Sequence, residues 1–547
     1  MKKPNDHKSN QFLEVALEQI PRLLGQLNRN PSSLSYGSFD RAYWHYRTND
    51  ISCARYQEAV LTLAYLYSNL FEGNIYYKDG NILNYIRAAL SFSISIQNKD
   101  GSFNEWYLNE GSFVATSFIT AALARTLLIL DKSDISNYAD CILMLKRSAD
   151  WLRKRDETLV YNQFAGAATA SVLVYKLTGD ESYKTSAKEK IDTIINKQND
   201  EGWWNEYGGP DIGYLSLMID YLMKYYEIIN DERVVEAVKK AEAFIVNFLH
   251  PNFTAGGEYM SRNTEYLIPS GFVFSSRYDP NGLILSNFTV ASLELKAGVQ
   301  PENLDDRYLC YILYNWIEAG LNFNENKPFE STAKYLWFRR MRKFFKESGL
   351  FVFQNDKYYF VANLKKGGVF RIYTSVGYTY LDSGIEVASA GKSYISNILN
   401  PNSIFFANEN SLSTRGTVHM IKEPLMKTST MIFFKIFQLL FGNIGWIQRL
   451  IKKILRKKMI VYQSKQNLRF ARLFELKPDS IIVKDLVYGI VPEANVKVGT
   501  KSSYTFIPSS KYFTAQELAH GRLEPKEERN YDNKLALLTL NRFWDNM

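Results

Sequence analysis

Histidine and cysteine are scarce in this chain of 547 residues, which has five of the first and three of the second. Cys53, Cys141 and Cys310 each fall inside an apolar helical pattern with no ligand spacing, which excludes a disulfide-built domain and predicts reduced core thiols. No apolar run reaches the length needed to cross a bilayer. The opening MKKPNDHKSNQFLEVALEQI carries lysines but no unbroken apolar stretch, so no signal peptide is expected and a cytoplasmic location is predicted. Glycine-rich phosphate loops, zinc spacings and Asp-rich diphosphate motifs do not stand out. Nucleotide, metal and prenyl chemistry are therefore not indicated, and no cofactor is expected.

What is present in quantity is apolar and aromatic: 46% of residues are apolar, and 37 Tyr and 34 Phe outnumber nine Trp. Such a chain has a large core and is not disordered. Its length exceeds what one core ordinarily supports, so two domains are expected. The formal charge of +9 is concentrated in one place. Between Met431 and Lys458 stand Lys435, Arg449, Lys452, Lys453, Arg456, Lys457 and Lys458 with no acidic residue, so only +2 belongs to the rest. A chain nearly balanced elsewhere is not expected to bind nucleic acid.

Apolar residues recur at three- and four-residue spacing over Gln11–Leu27, Arg55–Phe71, Ile82–Gln97, Ser112–Asp131, Tyr138–Arg155, Asn162–Thr178, Glu181–Gln198, Gly213–Ile229 and Glu232–His250. Further helical patterns lie near Asn287–Ala297, Asp305–Leu321 and Ser331–Glu347. Short connections such as Thr178-Gly179-Asp180 alternate with long ones rich in Gly, Asn and aromatics. That alternation predicts antiparallel helix pairs in a ring, with the long loops collected on one face as a cleft. After Gly349 the period changes to alternation, broken at Asn355-Asp356 and Lys366-Gly367-Gly368, which predicts consecutive antiparallel strands. Strand-like runs follow at Tyr378–Tyr380, Thr417–Ile421, Met459–Gln463, Asn467–Leu476 and Ser480–Leu486. The expected fold class is thus multidomain, α then β: an N-terminal (α/α) toroid over 1–349, then an antiparallel β-sandwich over 350–547 interrupted by a basic amphipathic insertion at 431–458.

One loop occurs twice. Gln97 to Trp106 and Gln198 to Tyr207 both read Gln-Asn-x-x-Gly-x-aromatic-Asn-Glu-aromatic, and each lies between two helical patterns. Such loops, with Asn104, Glu105, Trp203, Trp204, Asn205, Glu206 and Tyr207, have the amides, carboxylates and rings that line a sugar site. The alternative is that glycine turns the chain while Trp203 and Trp204 plug a helical barrel.

Gly202-x-x-x-Glu206-x-x-x-Pro210-x-x-x-Tyr214 before the helix LSLMIDYL, and Tyr161-Asn162-Gln163-Phe164-Ala165-Gly166 at the head of another, are similar to helix starts of the heparinase II/III-like and alginate-lyase-like polysaccharide lyases. The resemblance implies a toroid joined to a β-sandwich and cleavage of uronic-acid polymers by β-elimination. It implies Tyr214 at the scissile bond and Asn162 against the uronate carboxylate. Removing the C5 proton is hard until that carboxylate is neutralised by amide or cationic donors, after which a base and a proton donor complete the reaction. Gln163 stands where the family has histidine. Glutamine can donate a hydrogen bond but exchanges no proton near neutral pH. Either Tyr214 and another residue do the proton work, or the protein binds glycan without cleaving it.

Other candidates are His45, in the loop with Asp40, Arg41 and Trp44, and Arg262, in the passage that holds Tyr259, Asn263 and Glu265. Arg262 can pair bidentately with a glycan carboxylate or internally with Glu258 or Glu265. His250 reads as a helix-end cap and His419 as a strand position. Glu105, Glu110, Glu206 and Asp211 leave open a toroidal glycosidase that uses paired carboxylates. The insertion, with Phe433, Phe434, Phe437, Leu439, Leu440 and Phe441 ahead of its cations, predicts a helix on an anionic inner-membrane surface; docking on the sandwich or homodimerisation are its alternatives. The combined expectation is a protein of bacterial surface-polysaccharide metabolism that acts on an acidic polysaccharide or lipid-linked glycan. A non-catalytic scaffold and a glycoside hydrolase are the competing expectations.

Overall fold

A computed structural model of the protein describes residues 10–323, 339–389, 391–408, 411–420, 427–441, 444, 468–499, 523–545 and 547. The helical part opens with α1 (Gln11–Glu18), α2 (Ile20–Gln26), α3 (Arg41–Trp44), α4 (Ala59–Ser68), α5 (Gly80–Ser95) and α6 (Phe113–Ile129). It continues with α7 (Tyr138–Arg153), α8 (Tyr161–Thr178), α9 (Glu181–Asn196), α10 (Ile212–Ile229) and α11 (Glu232–Ile245). It ends with α12 (Pro269–Ser275), α13 (Pro280–Glu294), α14 (Asp306–Ile312) and α15 (Tyr314–Asn322).

These helices close a ring. Helices α4, α6, α8, α10, α12 and α15 pack each on the next, and α15 returns to α4. Outside them lie α5, α7, α9, α11, α13 and α1, each against an inner helix, with α7 straddling α6 and α8. The sequence accounts for the division. Inner helices such as α8 are buried around nearly their whole circumference and use small residues; a Cβ on Gly166 would lie 2.5 Å from the Phe118 ring. Outer α11 is one-sided, burying Val234, Val235, Val238, Ala241 and Phe244 and wetting its lysines. The short returns use left-handed caps, Gly179 after α8 and Asn230 after α10. Asp180 and Asp231 then cap the next helices through their side chains.

The first strand, β1 (Met341–Phe345), falls in the second half of the stretch that the pattern assigns to a helix over Ser331–Glu347, and the first half lies outside the described residues. The three phenylalanines and the basic residues there match a helical period only because the strand is short and its outer face wet. β1 leads a five-stranded antiparallel sheet with β2 (Leu350–Gln354), β3 (Tyr358–Asn363), β4 (Val369–Thr374) and β5 (Thr379–Asp382). A smaller sheet joins β6 (Ile385–Ser389), β7 (Lys392–Ile395), β10 (His419–Met420) and β13 (Asn495–Val498). The third sheet joins β8 (Ile404–Ala407), β9 (Ser411–Thr417), β11 (Arg469–Leu476), β12 (Ile481–Tyr488), β14 (Lys526–Asp532) and β15 (Leu537–Trp544). Met459–Gln463 lies outside the described residues.

Alternation along the first sheet builds three layers. Leu350, Val352, Tyr359, Val361, Val369 and Tyr373 join the core of the toroid. Their neighbours Phe351, Tyr358, Phe360, Phe370 and Ile372 face the other way, onto Phe474, Ile481, Val483 and Trp544 of the six-stranded sheet. Between that apolar cluster and the one under the smaller sheet sits a fully buried ionic quartet. Arg472 binds Asp485 (2.5 Å) and Asp382 (2.8 Å), and Arg542 binds the same two carboxylates (2.5 and 2.6 Å). Burial alone would raise the Asp382 carboxyl, but the two guanidiniums hold it below its ordinary value.

His250 joins toroid to sheet. Its Nε2 lies 2.8 Å from Tyr259 Oη, and its Nδ1 lies 2.8 Å from Thr254 Oγ1 and 2.9 Å from Tyr373 Oη on β4. It is therefore a buried network residue and not a helix-end cap. His419 keeps its strand position on β10.

Two outcomes are expected. Gly202 has φ +101°, and a Cβ there would lie 2.2 Å from the Lys240 carbonyl oxygen on α11, so Gly202→Ala should cost about 2 kcal/mol or more in denaturant unfolding. Burial, then Arg371 and Arg339, hold the His250 imidazole well below its ordinary pKa. The unfolded chain therefore takes up a proton near pH ~6.5 that the folded one refuses. His250 thus contributes stability above that pH and loses it as pH falls. The stability gap between wild type and His250→Gln should narrow from about pH 8 to about pH 5; an unchanged gap would contradict the assignment.

Candidate functional site

The long connections before α6, before α10 and before α12 gather at one end of the ring, on the side that meets the five-stranded sheet. The two copies of the repeated loop are built alike there. Gln97 Nε2 donates to the Gly101 carbonyl (3.2 Å) and to Met144 O on α7 (2.9 Å). Gln198 Nε2 donates to the Gly202 carbonyl (2.9 Å) and to Ala237 O on α11 (2.8 Å). Gly101 and Gly202 turn at φ +91° and +101°, each pressed on a helix carbonyl where no Cβ fits. Each glutamine thus pins its loop to the neighbouring outer helix.

Each copy also ends in an acid and an aromatic ring with an arginine above it. The Arg307 Cζ lies 3.9 Å over the Trp106 ring, and the Arg262 Cζ lies 3.9 Å over the Tyr207 ring. The difference between the copies lies in hydrogen bonding. Arg307 is engaged: Nη2 donates to Glu105 (3.0 Å) and Nε to Tyr311 Oη (2.5 Å). In the second copy, Arg262 Nε, Glu206 Oε2 and both side-chain atoms of Asn162 are buried with no hydrogen-bond partner. Glu206 Oε1 accepts from the backbone N–H of Asn162, in the first turn of α8, at 3.1 Å. Each unmatched buried polar atom costs roughly 1–3 kcal/mol, so four together mark a place shaped for polar atoms that are not the protein's own.

Burial above all, with Asp211 adding to it, pushes the Glu206 carboxyl well above its ordinary pKa against the pull of the Asn162 N–H and Arg262. Burial thus favours the neutral form of Glu206 beyond the range of an ordinary carboxyl. Asp211 is raised by burial too, although Thr264, Tyr214 and Arg262 all donate to it. It caps α10 through the Tyr214 N–H (3.3 Å) and holds the backbone N–H of Arg262 (3.0 Å) and Thr264 (3.2 Å). Tyr214, half-buried in the first turn of α10, is next to Tyr266, whose hydroxyl is pushed up by burial first and by Tyr214 next.

The sheet completes this end of the ring. Arg371 on β4 binds both Glu258 and Glu265 (2.6 Å to the latter), so these carboxylates serve Arg371. Lys366 Nζ, from the turn before β4, reaches Met260 O (2.6 Å) and Asn263 Oδ1 (2.5 Å). Burial pushes this amine down to about 7, with Glu258 and Asp211 opposing. Asn363 Nδ2 donates to Tyr259 O at 2.7 Å.

The structure thus brings together Asn162, Glu206, Tyr207, Tyr214, Arg262 and Asn263, with Gln163 buried beside Asn162 on α8. The remaining candidates lie outside that cluster or are bound up within the protein. Trp204 is 1% exposed with its Nε1 on Ile194 O, so it plugs the barrel and offers a sugar no face. Trp203 likewise joins the core, its Nε1 on Glu201. Tyr259 is buried against His250, and Asn205 closes its own loop on Gly208 N and Leu159 O. Asn104 is held by Asn98 and Gly111, and Glu105 by Arg307. Asp40 caps α3 and binds Cys53 N, Trp44 donates to Gln26 O, Arg41 lies over Tyr46, and His45 is an exposed residue between Trp44 and Tyr46. Glu110 accepts from the Glu105 and Trp106 N–H groups. Lys366 and Arg371 escape sequence reasoning; the one sign is Arg371, a cation where the alternation of β4 calls for an apolar residue, while Lys366 lies in a turn that has no such pattern. Among the described residues, no cluster of His, Cys, Asp and Glu is placed to hold a metal ion.

The sequence matches no protein-family model and no curated protein. Solved structures do match. Chondroitin AC lyase of Streptomyces coelicolor A3, in complex with chondroitin sulphate, aligns with a TM-score of 0.55 at 9% identity over 89% of this chain and 68% of that one. A Paenibacillus xanthan lyase aligns with a TM-score of 0.50 at 9% identity over 99% of this chain. The alignment spans 56% of the xanthan lyase, so this chain matches little more than half of it. The fold of this protein is the helical toroid followed by antiparallel β-sheets that it shares with these polysaccharide lyases.

Proposed function

We propose that the protein is a polysaccharide lyase that cleaves an acidic, uronate-containing glycan by β-elimination at the α8–α10 end of the toroid. The observation that carries this reading is the set of buried, unmatched polar atoms on Asn162, Glu206 and Arg262, of which Asn162 Nδ2 and Arg262 Nε are donors suited to a carboxylate. In this reading the Asn162 amide, the Arg262 guanidinium and the neutral Glu206 carboxyl hold the uronate carboxylate, which lowers the cost of charge at C5. Tyr214, as its phenolate, takes the C5 proton, the C5–H electrons form the C4=C5 double bond, and the C4–O bond breaks. The departing oxygen takes that proton from Tyr214, which returns to its starting form. Gln163 contributes a hydrogen bond only, so the acid function that histidine would supply rests on Glu206, as a donor, and on Tyr214. A glycosidase is less well supported: each oxygen of Asp211 is filled by the loop and the helix that it caps, so Asp211 is not free to pair with Glu206.

Acidic polysaccharides, with chondroitin sulphate and xanthan as first probes, should yield product with the ultraviolet absorbance of an unsaturated uronate. New reducing ends without absorbance would mean hydrolysis, and binding with neither would mean a scaffold. Tyr214→Phe should lower turnover by roughly a thousandfold and change glycan binding by no more than a few-fold, since only a hydroxyl is lost. Unchanged turnover would remove Tyr214 from the mechanism.

Glu206 gives a pH test. Its raised pKa means the active, protonated form persists above the ordinary carboxyl range and is lost as pH rises through the shifted value. The wild-type rate should therefore fall on an alkaline limb. Glu206→Gln keeps an oxygen for the Asn162 N–H and a donor for the substrate, so that limb should disappear while a measurable rate remains. Loss of all activity in Glu206→Gln, or an unchanged limb, would contradict the role.

A further inference from the structure

Helix α16 (Thr428–Phe441) stands apart from both layers. Its inward face makes two contacts with loops at the mouth of the toroid: Phe434 packs on Tyr107 (5.5 Å between ring centroids), and Lys435 binds Asp50 (2.5 Å). Gln438 is buried on that same side. The opposite side is a stripe of Ile432, Phe433, Ile436, Leu439 and Leu440, spaced at i, i+1, i+4, i+7 and i+8, and these side chains are 52–70% exposed. Monomeric proteins rarely leave so continuous an apolar row in water.

What could cover this stripe is constrained by length and charge. A helix of 14 residues is about 21 Å long, short of the ~30 Å hydrocarbon layer, and no helix among the described residues is long and apolar enough to span it. It can lie in an interface but not cross one. The chain that follows carries Arg449, Lys452, Lys453, Arg456, Lys457 and Lys458 and no acidic residue up to Lys458; these six lie outside the described residues. An apolar stripe followed by a run of cations is the pairing that a bilayer with anionic headgroups receives: acyl chains for the stripe, phosphates for the lysines and arginines.

We propose that α16 docks the protein on an anionic lipid surface, with the exposed stripe of Ile432, Phe433, Ile436, Leu439 and Leu440 as the inserting face. Because α16 rests on the loops of Asp50 and Tyr107, docking turns the long-loop end of the toroid toward the lipid. The inference is independent of the lyase reading, since its readout is binding and not turnover.

The test uses the full chain and sedimentation with vesicles of phosphatidylcholine alone or with about a third phosphatidylglycerol. Wild type should pellet with the anionic vesicles and not with the neutral ones. Changing Ile432, Phe433, Ile436 and Leu440 to Ser should weaken that binding by at least roughly tenfold, as should changing Lys452, Lys453, Arg456, Lys457 and Lys458 to Glu. Thermal unfolding should match wild type for both variants, which excludes misfolding as the cause. Light scattering on the same samples reports oligomeric state. No pelleting of the wild type, or pelleting that neither variant weakens, would overturn the proposal. A wild-type dimer that the stripe variant converts to monomer, without lipid binding, would assign the stripe to a second copy and overturn it equally.

Discussion

The site depends on a clamp between the two halves of the molecule. Arg262 is held by a loop without regular structure, and such a loop has no rigidity of its own. Arg371 takes two of its carboxylates, Lys366 takes a carbonyl and an amide oxygen, and Asn363 takes another carbonyl. All three side chains come from the five-stranded sheet. Asp211 grips the same loop from the toroid. These groups are withdrawn from water, so each bond is strong and each unmade bond expensive. The toroid alone would present Asn162, Glu206 and Tyr214, but the arginine would not be fixed against them.

The repeated loop clarifies why one corner of the ring is a candidate for chemistry and another is not. The two copies share glycine, glutamine, acid, ring and stacked arginine. In one, the acid and the arginine satisfy each other and Tyr311 finishes the set. In the other, Glu206 Oε2 and Arg262 Nε remain without partners. The same local architecture is thus closed in one place and open in the second, and the distinction rests on hydrogen bonds that no spacing in the sequence encodes.

Much of the fold was legible because periodicity reports burial. The 3.6-residue pattern marked the ring helices, and the change to alternation after Gly349 marked the layered sheets. The helical reading of Ser331–Glu347 failed over β1, where a short, mostly wet strand has too few buried positions to display its period. At the site, Asn162, Tyr214, Glu206 and Arg262 were legible from helix starts and loop composition. Trp203, Trp204 and Tyr259 misled, because an aromatic ring in a polar loop looks the same in sequence whether its face is offered to a sugar or pressed into the core. Lys366 and Arg371 were invisible for the opposite reason: their partners lie about 100 residues away in the chain, and long-range pairing leaves no local pattern.

Ring closure has a consequence for how the chain reaches this state. Asn10, just ahead of α1, donates to the Gly320 carbonyl on α15 at 2.9 Å, a sequence separation of 310 residues. The first stave of the barrel therefore has no seat until the last one exists. On a ribosome the emerging helices can pair with their immediate neighbours, but α1 must wait, its apolar face uncovered, until α15 has left the exit tunnel. Non-local closure of this kind is slow and leaves sticky intermediates.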